Sequence, residues 1–342
     1  MSVTLGSEVD RETVLRIMQG YRDTSLLRTG LDLGVFDALA DRPARPSQLA
    51  DRLEVSERGI RILLNALVAL GLLRREGDSF SLAPGAEELL VNGRPGYLGH
   101  LKDVLAGDHE WDTLKVLGDA VRRGGCVVGE NAETPNFDYW EDFANHATAA
   151  TGPTARLVTD VLAARLAELS EVDILDVACG HGLYGYTIAQ RLVHARVHSL
   201  DWPNVLPITE RRAKEMGVHD RASFISGDMF EVGLGGPYDV ALVTNVLHHF
   251  SVEKATELLT RVHGAIRHDG QLVTVGFTIG DEPPEQEPVP HLFSVLMLAW
   301  TTGGQVHTEQ EYERILRDSG FTPPREYRLP GVPMRVLVSD KA

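Results

Sequence analysis

The sequence predicts an α/β fold for the C-terminal half of the chain, an open, mostly parallel sheet wound with helices, behind a mainly helical N-terminal region. Three observations carry this reading. Short β-branched runs alternate with helical segments from Val172 onward, a Gly-rich turn follows the first run, and each successive run closes on polar residues.

The stretch Val172 to Gly185, VDILDVACGHGLYG, organises the rest. Val172 to Val177 has the shortness and apolar content of a buried strand, and Ala178-Cys179-Gly180-His181-Gly182 supplies small residues where a backbone must come close to a ligand. A helix follows from Leu183 to Val193, then a second strand from Ala195 to Asp201. Asp201 lies about twenty residues past the turn, where an acidic side chain accepts hydrogen bonds from ribose hydroxyls. A third strand, Ala222 to Ser226, ends in Gly227-Asp228-Met229-Phe230, and a fourth, Tyr238 to Val243, leads into Asn245-Val246-Leu247-His248-His249-Phe250. Polar residues are thus delivered to the carboxyl ends of the strands, where ligands of open α/β sheets bind. The remaining pattern predicts a helix over Val252 to Arg267, a fifth strand beginning at Gln271 and a Pro-rich loop over 280–290. Helices over Leu292 to Trp300 and Gln310 to Ser319 follow, with two closing strands between Arg325 and Ser339.

The N-terminal region reads as helices over 11–40, a break at Asp41 to Pro46, a short helix capped by Ser47, a second capped by Ser56 and running to Leu70, and a β-wing from Leu72 to Leu82 around Gly77-Asp78. The outline is a winged helix-turn-helix. A DNA-reading second helix needs basic side chains, yet Ile60, Ile62, Leu63, Leu64, Leu67, Val68 and Leu70 dominate it, and only Arg58 and Arg61 are positive. A packing module is therefore favoured over a transcriptional regulator.

Composition bounds the partners. With 49 acidic against 33 basic residues in 342, the formal charge is -16, which repels nucleic acid and anionic membrane surfaces. The longest apolar stretch, Ile62 to Leu73, is interrupted by Asn65 and too short for a bilayer, and the N-terminus has no basic segment leading into an apolar one. Cys126 and Cys179 are far apart and read as reduced thiols. A cytoplasmic protein is expected, with no membrane or nucleic-acid partner.

The motifs DVACGHG, SLDWP, SGDMF and NVLHHF, in this order and spacing, resemble those of S-adenosylmethionine-dependent small-molecule O-methyltransferases that carry an N-terminal winged-helix dimerisation domain. A strand, a Gly-rich turn and a helix also describe nucleotide-binding folds, so the glycines alone are a weak signal and the combined motifs carry the resemblance. The resemblance covers nearly the whole chain. It implies a Rossmann-like class I methyltransferase sheet and a homodimer, with a winged-helix dimerisation domain over 1–90, a helical linker that contributes to the acceptor pocket over 91–168, and a donor-binding catalytic domain over 169–342.

By motif position, the resemblance implies that Gly180 and Gly182 let the backbone approach the amino-acid end of S-adenosylmethionine and that Asp176 anchors that turn. Asp201 would hold the ribose, Trp202 would pack on the adenine, and Asp228 would accept from the adenine amino group with Met229 and Phe230 beside it. Asn245 completes the donor set, and the product is S-adenosyl-L-homocysteine. The small-molecule acceptor, an aromatic or polyketide-like hydroxyl compound, would meet Phe143, His146, His249, Phe293, Met297 and Trp300, although core packing explains each of the apolar ones equally well. Trp140 shares the helical stripe of Phe143 and His146, where core packing accounts for at least one or two of the three, and Trp111 is a weaker candidate.

His248 takes the position of the family's general base. A phenol of pKa about 10 is mostly un-ionised at neutral pH, and an adjacent imidazole can take its proton. Two departures matter. His249 replaces an acidic residue common after the base, and Gly276 stands where a carboxylate usually orients it, so His248 is unsupported or is partnered by Asp281 or another residue. C-methylation of an electron-rich or enolisable molecule, or a pocket that has lost methyl transfer, therefore stays open. A metal on His248 and His249, with Asp281, Glu282 or His307 as distant ligands, lacks any short ligand spacing, so none is expected.

Overall fold

The computed structural model describes residues 9–342, and its contacts divide the chain into two compact units, 1–108 and 109–342. In the first, α1 (Arg11–Asp32), α2 (Val35–Ala38), α3 (Pro46–Leu53) and α4 (Glu57–Ala69) precede the hairpin β1 (Leu73–Glu76) and β2 (Ser79–Leu82), then α5 (Ala86–Leu90) and α6 (Lys102–Leu105). Val35, Phe36, Leu49, Leu64, Leu67 and Phe80 form its core. Ser56 caps α4 as expected, its hydroxyl accepting from the Gly59 amide. The cap of α3 differs: the helix opens at Pro46, whose fixed φ suits the first helical position, and Gln48 accepts from the Arg45 amide at 2.8 Å, so Ser47 lies inside the helix. Val14, Leu15, Ile17, Met18 and Tyr21 of α1 are exposed.

The second unit begins with α7 (Asp108–Lys115), α8 (Leu117–Arg123), α9 (Tyr139–His146) and α10 (Thr148–Leu166). Strands and helices then alternate: β3 (Val172–Val177), α11 (Leu183–Arg191), β4 (Ala195–Asp201), α12 (Leu206–Glu215), β5 (Ala222–Ser226), β6 (Tyr238–Thr244), α13 (Val252–Ala265) and β7 (Ile266–Gly276). α14 (Pro288–Trp300), α15 (Glu309–Asp318), β8 (Arg325–Arg328) and β9 (Arg335–Asp340) close the chain. The sheet has seven strands in the order β5-β4-β3-β6-β7-β9-β8, parallel from β5 to β7 and antiparallel over the last two. Strands buried on both faces read as near-continuous apolar runs, as β3 and β6 do. One face packs against Leu258, Leu259, Ile315 and Leu316 of α13 and α15, the other against Leu162, Tyr186, Ile188 and Ala213 of α10, α11 and α12.

Two boundaries depart from the periodicity. α13 stops at Ala265 and β7 starts at Ile266, because Ile266 pairs with Tyr238 ahead of a bulge that restores register at Gln271 with Val240. α14 starts at Pro288, ahead of Leu292, since proline is well suited to a first turn. No helix among the described residues is long and apolar enough to cross a membrane.

The strand order reverses between β3 and β6: the chain builds outward through β4 and β5, then returns to the other side of β3. Their carboxyl ends therefore open a crevice, the place where open α/β sheets bind ligands. Leu242, fully buried at the centre of β6, supports both neighbours of that crevice. Leu242→Ala should cost about 2–5 kcal/mol of unfolding free energy, measured by urea denaturation.

Candidate active site

The crevice holds a cleft whose lining includes Gly180, Asp201, Trp202, Met229 and Asn245 together with Trp140, Phe143 and His249. The Gly-rich turn forms its floor. Gly180 and Gly182 have φ of 54° and 69°, and the Gly180 amide donates to Asp201 Oδ2 at 2.7 Å while the Trp202 amide donates to Oδ1 at 2.8 Å. Asp201 at the end of β4 thus clamps the turn after β3. A Cβ on Gly180 would meet no atom within 4 Å, so the turn is open to the cleft there, whereas one on Gly182 would lie 2.3 Å from the Tyr186 ring. Tyr186 cannot yield easily, being fully buried with its hydroxyl 3.0 Å from Ser199 Oγ.

Beneath the turn, Asp176 is fully buried; its Oδ2 accepts from the Gly185 amide at 3.3 Å and its Oδ1 has no partner. Burial pushes its carboxyl up to about 8, opposed by the Gly185 bond and reinforced by the Asp201 charge. Burial also raises Asp201, to about 6, against the lowering effect of its two amide donors. Two carboxyls are thus held in low dielectric, and Asp201, which lines the cleft, favours a cationic or hydroxyl-bearing ligand.

Of the other sequence candidates, Met229 and Asn245 face the cleft, while Asp228 turns back to accept from the Phe230 amide at 2.8 Å. Phe230 packs edge-on against Phe250 with Lys254 Nζ 4.0 Å over its ring, apart from the lining. Phe143 lines the cleft stacked on His181, but His146 and Trp111 are half-buried and contribute nothing to the lining. Met297 and Trp300 are 1% and 2% exposed, and Trp300 packs onto Tyr139 with ring centroids 4.4 Å apart. Phe293 stands perpendicular to His248 at 5.0 Å.

His248 and His249 sit on a short turn over Leu247–His249 with ring centroids 4.6 Å apart, and only His249 is in the cleft lining. His249 lines the cleft beside Trp140, with its Nδ1–H donated to the Val246 carbonyl at 3.1 Å, which leaves Nε2 as the acceptor. His248 is 3% exposed and its Nδ1 has no hydrogen-bond partner. Burial holds its pKa well below the usual imidazole range, with His249 and His307 adding to the effect and no carboxylate opposing it. Asp281 is exposed and supplies no partner for the ring. No group of three or more His, Cys, Asp or Glu among the described residues is arranged to hold a metal ion.

The comparisons decide the family. Residues 115–322 match the model of the O-methyltransferase domain, and residues 15–92 match that of the O-methyltransferase dimerisation domain. The chain belongs to the O-methyltransferase family. It is 30% identical over 357 residues to acetylserotonin O-methyltransferase of Mus musculus molossinus, covering 99% of this chain and 91% of that one. It is 27% identical over 325 residues to the tetracenomycin polyketide synthesis 8-O-methyltransferase of Streptomyces glaucescens, covering 93% of both. The crystal structure of human N-acetylserotonin methyltransferase in complex with SAM shares the fold, with a TM-score of 0.80 at 21% identity over 99% of this chain and 100% of that one.

The sequence did not single out Ala132, His181, Tyr184, Val205 or Thr244, which also line the cleft of this methyltransferase. His181 carried a signal, lying inside the Gly-rich turn: its Nδ1 accepts the Leu183 amide and its Nε2 donates to Thr151 Oγ1 at 3.2 Å. Ala132 carried none, since a loop reaches the cleft only through the fold. Gly182→Ala combines a left-handed φ with a clash on Tyr186; it should destabilise the enzyme by about 1–3 kcal/mol and lower its urea midpoint.

Proposed function

We propose that this methyltransferase transfers a methyl group from S-adenosylmethionine to a hydroxyl of an aromatic or polyketide-like small molecule, with His248 as the base. The observation that carries it is one cleft lined by two kinds of residue. The open Gly180 turn, Asp201 and Met229 suit the donor, and Trp140, Phe143 and His249 suit the acceptor. The donor fits the residues present, because Asp201 is a buried carboxyl in the cleft lining and Gly180, which it grips, leaves the turn open at that point. Bound there, S-adenosylmethionine supplies a methyl on a sulfonium that an acceptor oxygen displaces in line.

In this reading Gly180 and Gly182 admit the amino-acid end of the donor over Asp176. Asp201 accepts from the ribose hydroxyls through its remaining lone pairs, and Trp202, Asp228, Met229 and Phe230 surround the adenine, with Asn245 beside the reacting end. Asp228 and Phe230 must turn inward for this, since their side chains are engaged with local partners. The aromatic residues Trp140 and Phe143, backed by Tyr139 and Trp300, orient a flat acceptor, whereas His146, Phe293 and Met297 lie outside the lining. Such positioning can supply roughly 7 to 11 kcal/mol of the barrier. His248, enclosed beside the cleft, takes the hydroxyl proton on Nε2 as the new bond forms, and its ring must gain access to the acceptor for this. Burial keeps the free imidazole neutral, with a lone pair available on Nε2. A homodimer is part of the proposal: a second copy would cover the exposed Val14, Leu15, Ile17, Met18 and Tyr21 of α1.

Calorimetric titration with S-adenosylmethionine and S-adenosylhomocysteine tests the donor half, and absence of binding by both would overturn it. Asp201 sets the pH dependence. Its pKa is raised, so the carboxylate that a ribose needs is present above about pH 6 and lost below. Donor affinity should weaken by up to about tenfold per unit as pH falls through that point, and Asp201→Asn should remove this part of the pH dependence. His248→Ala should lower kcat near neutral pH by roughly 10²- to 10⁴-fold, with partial recovery as pH approaches the acceptor's own pKa. An unchanged rate would point to transfer to carbon.

A further inference from the structure

We propose that Tyr312 positions His248 through a water molecule held in the space above Gly276. The proposal rests on His248 being the base, and it concerns the position where this sequence lacks the carboxylate that the resembled family uses.

Gly276 is the last residue of β7, and a Cβ built on it would lie 3.5 Å from the Tyr312 hydroxyl oxygen and 3.7 Å from His248 Nδ1. Both polar atoms therefore look onto one small gap that a glycine keeps clear. His248 Nδ1 is buried without a partner, and Tyr312, on α15, is 3% exposed with burial alone acting on its phenol and raising its pKa. Unpaired buried nitrogens are costly, and a water flanked by two polar groups is the usual remedy. A base whose Nε2 receives a proton must carry its own hydrogen on Nδ1. That Nδ1–H donates to the water, and the water donates to the Tyr312 oxygen, which fixes both the tautomer and the tilt of the ring. Phe277 and Phe293 flank the imidazole with no charge. The titratable groups facing it are His249 on the same turn, Tyr312 on α15, and His307 just ahead of α15; Glu253 and Glu311 act in turn on His307. A neutral relay orients the ring without placing a second buried charge among these histidines.

Tyr312 is thus a positioning residue. Two variants test it separately. Tyr312→Phe removes the relay's anchor, and Gly276→Ala places a methyl at ordinary contact distances, which fills the gap and expels the water. With each protein checked for folding by circular dichroism, kcat and KM are measured across a pH series alongside His248→Ala. Each variant should lower kcat roughly 10- to 100-fold near neutral pH with the donor KM unchanged, the loss shrinking at high pH as the acceptor ionises unaided. Should Tyr312→Phe fail to fold, Gly276→Ala decides the matter alone. A folded variant with wild-type kcat and pH profile, or with a change confined to KM, overturns the relay even while His248→Ala is impaired. If His248→Ala itself keeps the wild-type rate, the base reading fails first and takes the relay with it.

Discussion

A single backbone-to-carboxylate bond, from the Gly180 amide to Asp201 Oδ2 at 2.7 Å, holds the site together. It joins the turn after β3 to the end of β4, fixing the opening of the cleft and the placement of Gly180 and Gly182. The turn can accept this grip only because glycine tolerates left-handed φ at both positions and because nothing larger than hydrogen fits against Tyr186 at Gly182. Asp201 and Asp176 sit in low dielectric for the same reason, with pKa values pushed up to about 6 and about 8 by burial. Holding carboxyls this way disfavours their ionisation in the free protein and leaves them receptive to a ligand that brings positive charge or hydroxyl donors.

The acceptor side follows a different rule. Its wall is aromatic, with Trp140, Tyr139, Phe143 and Trp300 interlocked edge to face, and its ionisable groups are imidazoles kept neutral by burial. A neutral aromatic lining suits a flat acceptor. His248 and His249 divide the work of the turn after β6: one is enclosed among Phe293, Phe277 and Gly276, the other is aimed at open space with its tautomer set by the Val246 carbonyl.

Much of the fold was legible in one dimension. Runs of buried apolar residues mark strands without reference to their neighbours, so β3, β4 and β5 fall where the composition put them, and β6 gains only Thr244. The boundaries that moved did so through partners outside the run: Ile266 joined β7 because Tyr238 offered it a pairing, and Pro288 opened α14 by favouring its first turn. Within the cleft, Asp201, Met229 and Asn245 were visible because strand ends converge on one rim whatever the details of packing. Trp300 and Met297 were ambiguous, since an apolar helix face looks the same in a sequence whether it meets core or ligand.

The sequence by itself determined the order of strands and helices, the Gly-rich turn, the acidic residues at the strand ends and the paired histidines after the fourth strand, because these depend on local periodicity and spacing. Only the tertiary structure decided that His249 reaches the cleft while His248 is enclosed, that Asp228 and Phe230 are engaged elsewhere, and that Gly276 brings Tyr312 and His248 to a common gap. The physical reason is that direction and burial are set by side chains far apart in the chain, and each of these outcomes turns on a contact between residues from different elements.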